Sequence, residues 1–471
     1  MMSPDLLYKR KTYGSNTIMD SKELIALDLK HIWHPCSQMK DYEDFEPLHI
    51  TSASGSYLHT ADGRDIIDAI SSWWCKSLGH RHPEIRQAVN DQLDKFEHII
   101  MANTTHETIV ELSYRLAQIC PPLDKVFYAD NGSTSVEIAI KMSLQYHHQT
   151  GHREKTRFMA LHNGYHGESI LTLAAGDCEL YTKPYKTLMP EFLKTPPLVY
   201  CNGIGSEGWE KYPEDAWKTI EKQLNEMSDT LSGIVFEPII QGSGGMKIYS
   251  PDLLRRLRQW ADKHDVHLIA DEIMTGFGRC GKMMACEYAG IAPDFVCFSK
   301  SMTAGWAPMA ATLCSTEVYN AFYDDYFSGK AFLHSNTYTG YAPGVAAALA
   351  TMKIYERDKF IENAPAFNRK LMDGMRRVAQ ETGALVNLRG LGHMAAADII
   401  NPDTGKPFDY KLRIGYKCYL EAVKLGALLR PLGDTLYFLP PFNTDDATLE
   451  KLAEIAAQAL NNTIESYKQG S

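Results

Sequence analysis

Lys300 follows the apolar run Phe295–Phe298 and precedes the small residues Thr303-Ala304-Gly305. An ammonium group at the end of a buried strand is rare unless it is paired or chemically employed. It either snorkels to the surface or serves as an amine nucleophile. Asp271 closes a second apolar run, VHLIAD. Asn131-Gly132-Ser133-Thr134 lies between the run KVFYA and the helical pattern SVEIAIKMSLQYHH. Free N–H groups at a helix start, a glycine that permits close approach and a serine hydroxyl suit a phosphate group. The loop HNGYHG (162–167) sets Tyr165 among glycines, where its ring can stack on a flat ligand. Each feature also has an ordinary reading, as a surface acid, a helix cap or a turn.

Taken in order, these features match the needs of one cofactor, pyridoxal 5′-phosphate (PLP). PLP requires a lysine to hold its aldehyde as a Schiff base, an acid to keep its ring nitrogen protonated, and a phosphate cradle. Lys300, Asp271 and the Gly132-Ser133 turn supply these three, with Tyr165 against the ring.

The elements that must position them alternate. KVFYA (125–129), TRFMALH (156–162), GIVFEPI (233–239), VHLIAD (266–271), FVCFS (295–299) and MAATLC (309–314) read as strands. Helical patterns run through SVEIAIKMSLQYHH and PDLLRRLRQWADKH (251–264). The expected fold is α/β, a mostly parallel sheet flanked by helices. In such sheets ligands bind beyond the carboxyl ends of the strands, where Asp271 and Lys300 fall. Earlier, SGSYLHTADGRDIIDAIS reads as two strands joined at Asp62-Gly63. Helices are expected from Pro83 and over THETIVELSYRLAQI, the latter capped by Thr105. The expected division is an extension over 1–25, a first part of a small domain over 26–75, a large domain over 76–345 and a smaller α+β domain over 346–471.

Composition narrows the function class. The 471 residues carry a formal charge of -10 and no basic stripe, which excludes a nucleic-acid surface. No apolar segment has the length of a membrane span. The ten cysteines are scattered without metal-type spacing, as in a reduced, cytoplasmic protein, so no metal is expected.

The segments DNGSTSVEIAIKM, FMALHNGYHGESI, IVFEPIIQGSGGM, LIADEIMTGFGRCGKMMACE, PDFVCFSKSMTAGW and HSNTYTG resemble the class III aminotransferases, PLP enzymes of fold type I. The resemblance runs from about Leu27 to about Leu460. Within that family, HIWHPCSQMKDYE, ISSWWCKSLGHRHPEI and LLRPLGDTLYFLPPF are similar to the members that convert 8-amino-7-oxononanoate (KAPA) to 7,8-diaminononanoate (DAPA) in biotin biosynthesis. These usually draw the amino group from S-adenosylmethionine, and some from lysine. The resemblance implies that Lys300 holds the cofactor and shuttles a proton, and that Asp271 pairs with the ring nitrogen. Gly132 and Ser133 would hold the phosphate, and Tyr165 would stack on the ring. Thr337 would bind the partner subunit's cofactor phosphate, which implies a homodimer with its sites at the interface. Trp73 and Trp74 would wall the substrate chain, and Arg430 would take its carboxylate. Ser335 and Arg279 are further substrate contacts, and Glu237 is a pocket acid. The chain departs from the family at Cys36, usually an aromatic, and at Ala304, Ser335, Asn336 and Tyr341. An ω-amino acid or diamine aminotransferase is the alternative reading.

Overall fold

The computed structural model describes residues 20–470. Three strands near the start, β1 (Ile50–Ser54), β2 (Tyr57–Thr60) and β3 (Asp65–Ile67), form an antiparallel sheet. The turn expected at Asp62-Gly63 joins the last two, with Gly63 at φ 83°. The extension expected over 1–25 lies outside the described residues as far as residue 19. Its remainder is the start of the helix Ser21–His31, capped by Asp20.

The large sheet has seven strands: β4 (Lys125–Ala129), β5 (Arg157–Ala160), β6 (Leu193–Lys194), β7 (Leu231–Phe236), β8 (His267–Asp271), β9 (Phe295–Phe298) and β10 (Ala310–Cys314). Their order is β4-β10-β9-β8-β7-β5-β6, and only β10 runs against the rest. Successive side chains alternate between two cores. Val235, Ile269 and Phe295 pack with Val136, Ala139 and Ile140 of the helix Gly132–Thr150 on one face. Ile234, Leu268 and Val296 join the larger core on the other. Burial on both faces explains why these strands read as unbroken apolar runs.

A third core gathers around an antiparallel meander, β11 (Leu385–Leu391), β12 (Met394–Ile399) and β13 (Thr435–Phe438). The helices Phe360–Thr382, Ile414–Leu425 and Asp446–Gly470 pack on it. The early strands join this layer: the Ile67 N–H donates to Gly426 O at 2.9 Å, and the Leu428 N–H to Ile67 O at 2.8 Å. One cap differs from expectation. His106, not Thr105, caps the helix Glu107–Ile119, because its ring nitrogen accepts from the Ile109 N–H.

Candidate active site

Parallel register brings five strand ends to one edge of the large sheet. Asp271 of β8 lies beside Cys297 of β9, Ala270 beside Phe236 of β7, and Val235 beside Ala160 of β5. β10 bridges β9 to β4, pairing Phe298 with Ala311 and Ala129 with Ala310. The residues just past these ends line a cavity of 190 Å³: Gly132 and Ser133 after β4, Tyr165 to Gly167 after β5, Glu237 after β7, Asp271 at the end of β8 and Lys300 after β9. Trp74 supplies a wall from outside the sheet.

Asp271 is 4 % exposed. Its carboxylate accepts from His166 Nδ1 at 2.8 Å and from the Ile273 N–H at 3.1 Å. Because a carboxylate only accepts, Nδ1 carries the proton, and His166 Nε2 is left buried without a partner. His166 was not among the residues singled out from the sequence. The second histidine of HNGYHG, directly after Tyr165, was its only sequence signal.

Glu237 is buried, and its two oxygens accept from the Tyr165 N–H at 3.0 Å and the Gly242 N–H at 2.9 Å. Burial, with Asp271 nearby, pushes this carboxyl up to about 8 against the pull of those bonds and of Lys300. It therefore holds the Tyr165 loop mainly in its neutral form at pH 7.

Lys300 sits at φ 46°, in the left-handed region. Its amine has no hydrogen bond or ion pair among the described residues and faces the Trp74 ring, 4.9 Å from Nζ to the centroid. Burial lowers its pKa, opposed by Asp271 and Glu237. An unpaired, half-buried amine with a depressed pKa has the chemistry a nucleophile or proton carrier needs.

The helix start at Gly132 is kept clear of side chains. A Cβ at Gly132 would come 2.8 Å from Ile273 Cδ1, and one at Gly167, at φ 126°, would overlap Ser133. Asn131 caps the helix Gly132–Thr150 by accepting from the Thr134 N–H, so the N–H groups of Gly132 and Ser133 are not used by that cap. The residues present fit PLP. They offer a free amine, a fixed carboxylate in the same cavity, a helix start cleared of side chains and the Tyr165 ring.

Trp74 is held by an unusual turn. Ser71, Ser72, Trp73 and Trp74 have φ of 50°, 43°, 71° and 72°, four consecutive left-handed residues without a glycine. Such conformations cost about 1–2 kcal/mol each. They persist only where surrounding structure over-determines them, which happens most often at functional sites. Here the Trp74 N–H donates to Ile70 O at 2.8 Å, Trp74 Nε1 to the Tyr437 hydroxyl at 3.1 Å and Ser71 Oγ to Leu439 O at 2.7 Å.

Trp73 faces out, 44 % exposed, with the Arg430 guanidinium 4.5 Å from its ring centroid. Arg430 does not line the inner cavity. It lines an adjoining one of 610 Å³ with Cys36, Tyr42, Phe45, Leu58 and Leu428. Arg413 in that cavity is paired with Asp41 at 2.7 Å, whereas Arg430 donates to Cys36 O at 2.6 Å and pairs with no carboxylate among the described residues. Cys36 is exposed, its thiol 3.9 Å from Glu168, which also accepts from the Tyr165 hydroxyl.

Three residues of the expected site lie outside the inner cavity of their own chain, which for Thr337 is what a role in the partner's site requires. Arg279 is fully buried and lines neither cavity. It donates to His393 O and Pro440 O and stacks on Phe442, while Nε and Nη2 lack partners. Its place between the sheet-edge loop and the antiparallel meander follows from tertiary packing, which GFGRCGK does not encode. Ser335 and Thr337 are exposed and do not line their own chain's cavity.

Residues 38–460 match the family model for class-III aminotransferases. The chain belongs to that family. The family's cofactor is PLP. An adenosylmethionine-8-amino-7-oxononanoate aminotransferase from Helicobacter pylori is 38% identical, the match covering 89% of this chain and 94% of that one. One of the same name from Geobacter sulfurreducens is 36% identical, over 90% of this chain and 94% of that one. Among solved structures, the adenosylmethionine-8-amino-7-oxononanoate aminotransferase of Methanocaldococcus jannaschii superimposes with a TM-score of 0.87 at 30% identity, over 94% of this chain and 99% of that one. The protein is thus a PLP-dependent aminotransferase with the large mixed sheet of that fold.

Proposed function

We propose that this aminotransferase converts KAPA to DAPA in biotin biosynthesis, in a ping-pong cycle with S-adenosylmethionine as amino donor. The observation that carries the substrate is the mouth of the site. An arginine without a carboxylate partner stacks on Trp73 above an apolar cavity. A long aliphatic acid fits that pairing of flat wall and guanidinium fork. The names of the Geobacter sulfurreducens and Helicobacter pylori relatives support the same substrate and donor.

When bound, PLP supplies the electron sink that stabilises negative charge on the substrate carbon. The chain supplies the rest. Asp271, fixed by His166 and the Ile273 N–H, would keep a proton on the ring nitrogen. Lys300 Nζ, its pKa lowered by burial against the pull of Asp271 and Glu237, would take a proton from one carbon and return it to another. Ser133 and the helix start would hold the phosphate, and Trp74 covers the amine and would exclude water.

A homodimer completes the reading. Thr337 is exposed, and on the same strip of chain Tyr326, Phe327 and Leu333 are exposed too, Phe327 at 96 %. A strip of that kind favours burial against a second copy, where Thr337 would reach the partner's phosphate site. All ten cysteines are free, which suits a reducing cytoplasm, and no helix among the described residues is long and apolar enough to cross a membrane.

The test is the visible absorbance of the lysine-bound cofactor. DAPA should bleach the band and KAPA restore it, and S-adenosylmethionine should bleach it where lysine does not. A band indifferent to DAPA overturns the substrate. A band bleached by lysine alone overturns the donor.

A further inference from the structure

Asp68 stands just ahead of the left-handed turn and is completely buried. Its carboxylate makes three bonds. Oδ1 accepts from the Ser72 N–H at 2.9 Å, and Oδ2 accepts from Ser72 Oγ at 2.7 Å and His80 Nε2 at 2.8 Å. Both bonds from Ser72 hold the residue at φ 43°, inside the turn. The next two residues are the tryptophans. Trp73 lies under Arg430 at 4.5 Å and Trp74 over Lys300 at 4.9 Å. One buried carboxylate therefore braces the segment that touches both the catalytic amine and the guanidinium at the mouth.

We infer that Asp68 is a positioning residue for both sites: with Ser72 and His80 it locks the left-handed turn that sets Trp74 against Lys300 and Trp73 against Arg430. It touches neither reacting atoms nor substrate. Its effect passes through the backbone of Ser72, because a non-glycine residue returns to right-handed or extended backbone once its side-chain and N–H tethers are cut. This inference rests on the proposed substrate for one readout only.

Ser72 gives the sharpest test. Ser72→Ala and Ser72→Gly delete the same hydroxyl, but glycine accepts positive φ without penalty. A turn-locking role therefore ranks glycine closer to the native protein than alanine. For an ordinary half-buried serine the order is reversed, since glycine costs more backbone entropy. The expected result for Ser72→Ala is a KM for KAPA raised about tenfold with kcat within about twofold, as when only shared ground- and transition-state binding is lost. Ser72→Gly should restore most of that loss.

The second readout needs no substrate. The visible band of the lysine-bound cofactor titrates with pH, and a cation facing the Trp74 ring is stabilised in its charged form. In Asp68→Ala and Ser72→Ala the midpoint should fall by about half a pH unit, the scale of one such contact. Asp68→Asn, which keeps the acceptor for the Ser72 N–H, should lie between alanine and the native protein. If Ser72→Ala is the milder serine variant, or the midpoints do not move, the inference is overturned. Failure of the KAPA assignment removes the KM arm but leaves the titration and the glycine–alanine order of its midpoints. If Asp68→Ala does not fold, the two Ser72 variants decide the matter alone.

Discussion

Gly167→Ala is the substitution whose cost the structure specifies best. The new Cβ would overlap the Ser133 hydroxyl, with Ser133 Cβ 2.7 Å and Thr172 Oγ1 2.9 Å away. Two terms add. Alanine at φ 126° lies outside its allowed backbone regions, worth about 1–3 kcal/mol. Forcing a methyl group into filled space costs a further ~1–3 kcal/mol. The apoprotein should therefore lose about 2–6 kcal/mol, read by urea unfolding. Ser133 must also move, so PLP affinity, titrated by absorbance, should fall beyond what the stability loss explains. Ser133→Gly separates the terms. Combined with Gly167→Ala it should recover the packing share, ~1–3 kcal/mol, and leave the backbone share. If Gly167→Ala leaves both stability and PLP affinity unchanged, the proposed cradle of Ser133 and Gly167 is wrong. If the two substitutions are additive, their contact is not the cause.

Three further outcomes follow from the same structure. Glu237, pushed up to about 8 by burial and then by Asp271, binds a proton in the folded protein that the unfolded chain releases above pH about 4.5. Its contribution is complete below that pH and is lost as pH rises through 8, so the native protein's stability should fall more steeply than that of Glu237→Gln, by up to ~1.4 kcal/mol per pH unit; parallel calorimetric profiles from pH 5 to 9 would refute this. Arg389 is buried, donates to Met246 O, Gly245 O and Asn387 O and pairs with Asp398 at 2.7 Å. Burial raises the Asp398 carboxyl, but Arg389 and then Lys247 outweigh it and hold it at about 2. Arg389→Met should cost ~3–5 kcal/mol, and acid unfolding should begin at higher pH, because stability present above the ordinary carboxylate range is no longer kept down to pH 2. A native acid-unfolding midpoint would contradict that ion pair. Arg430→Lys keeps the charge but loses the fork and the stack on Trp73, so KM for KAPA should rise about 10–100-fold with kcat little changed; an unchanged KM would place the carboxylate elsewhere.

Local chemistry is written in the order of residues, and the sequence was legible wherever that order suffices. Apolar runs of five or six residues marked the central strands because burial on both faces leaves no polar alternation to confuse the signal. Asp271 and Lys300 were legible as polar residues at the ends of such runs, and Gly132-Ser133 as the start of a helix. The sequence could not show that five strand ends share one edge, which depends on register and on β10 running antiparallel between β9 and β4. Nor could it show the burial of Arg279, since its partners His393 and Pro440 lie more than a hundred residues away. His166 became part of the site only when Asp271, 105 residues on, came within 2.8 Å. The left-handed turn at Ser71–Trp74 is the clearest case. Nothing in SSWW favours positive φ, and the preference of each residue opposes it. Bonds to Tyr437 and Leu439, far along the chain, join those to nearby Asp68 in imposing it, and a conformation held in part by distant contacts is decided only when the tertiary structure brings them together.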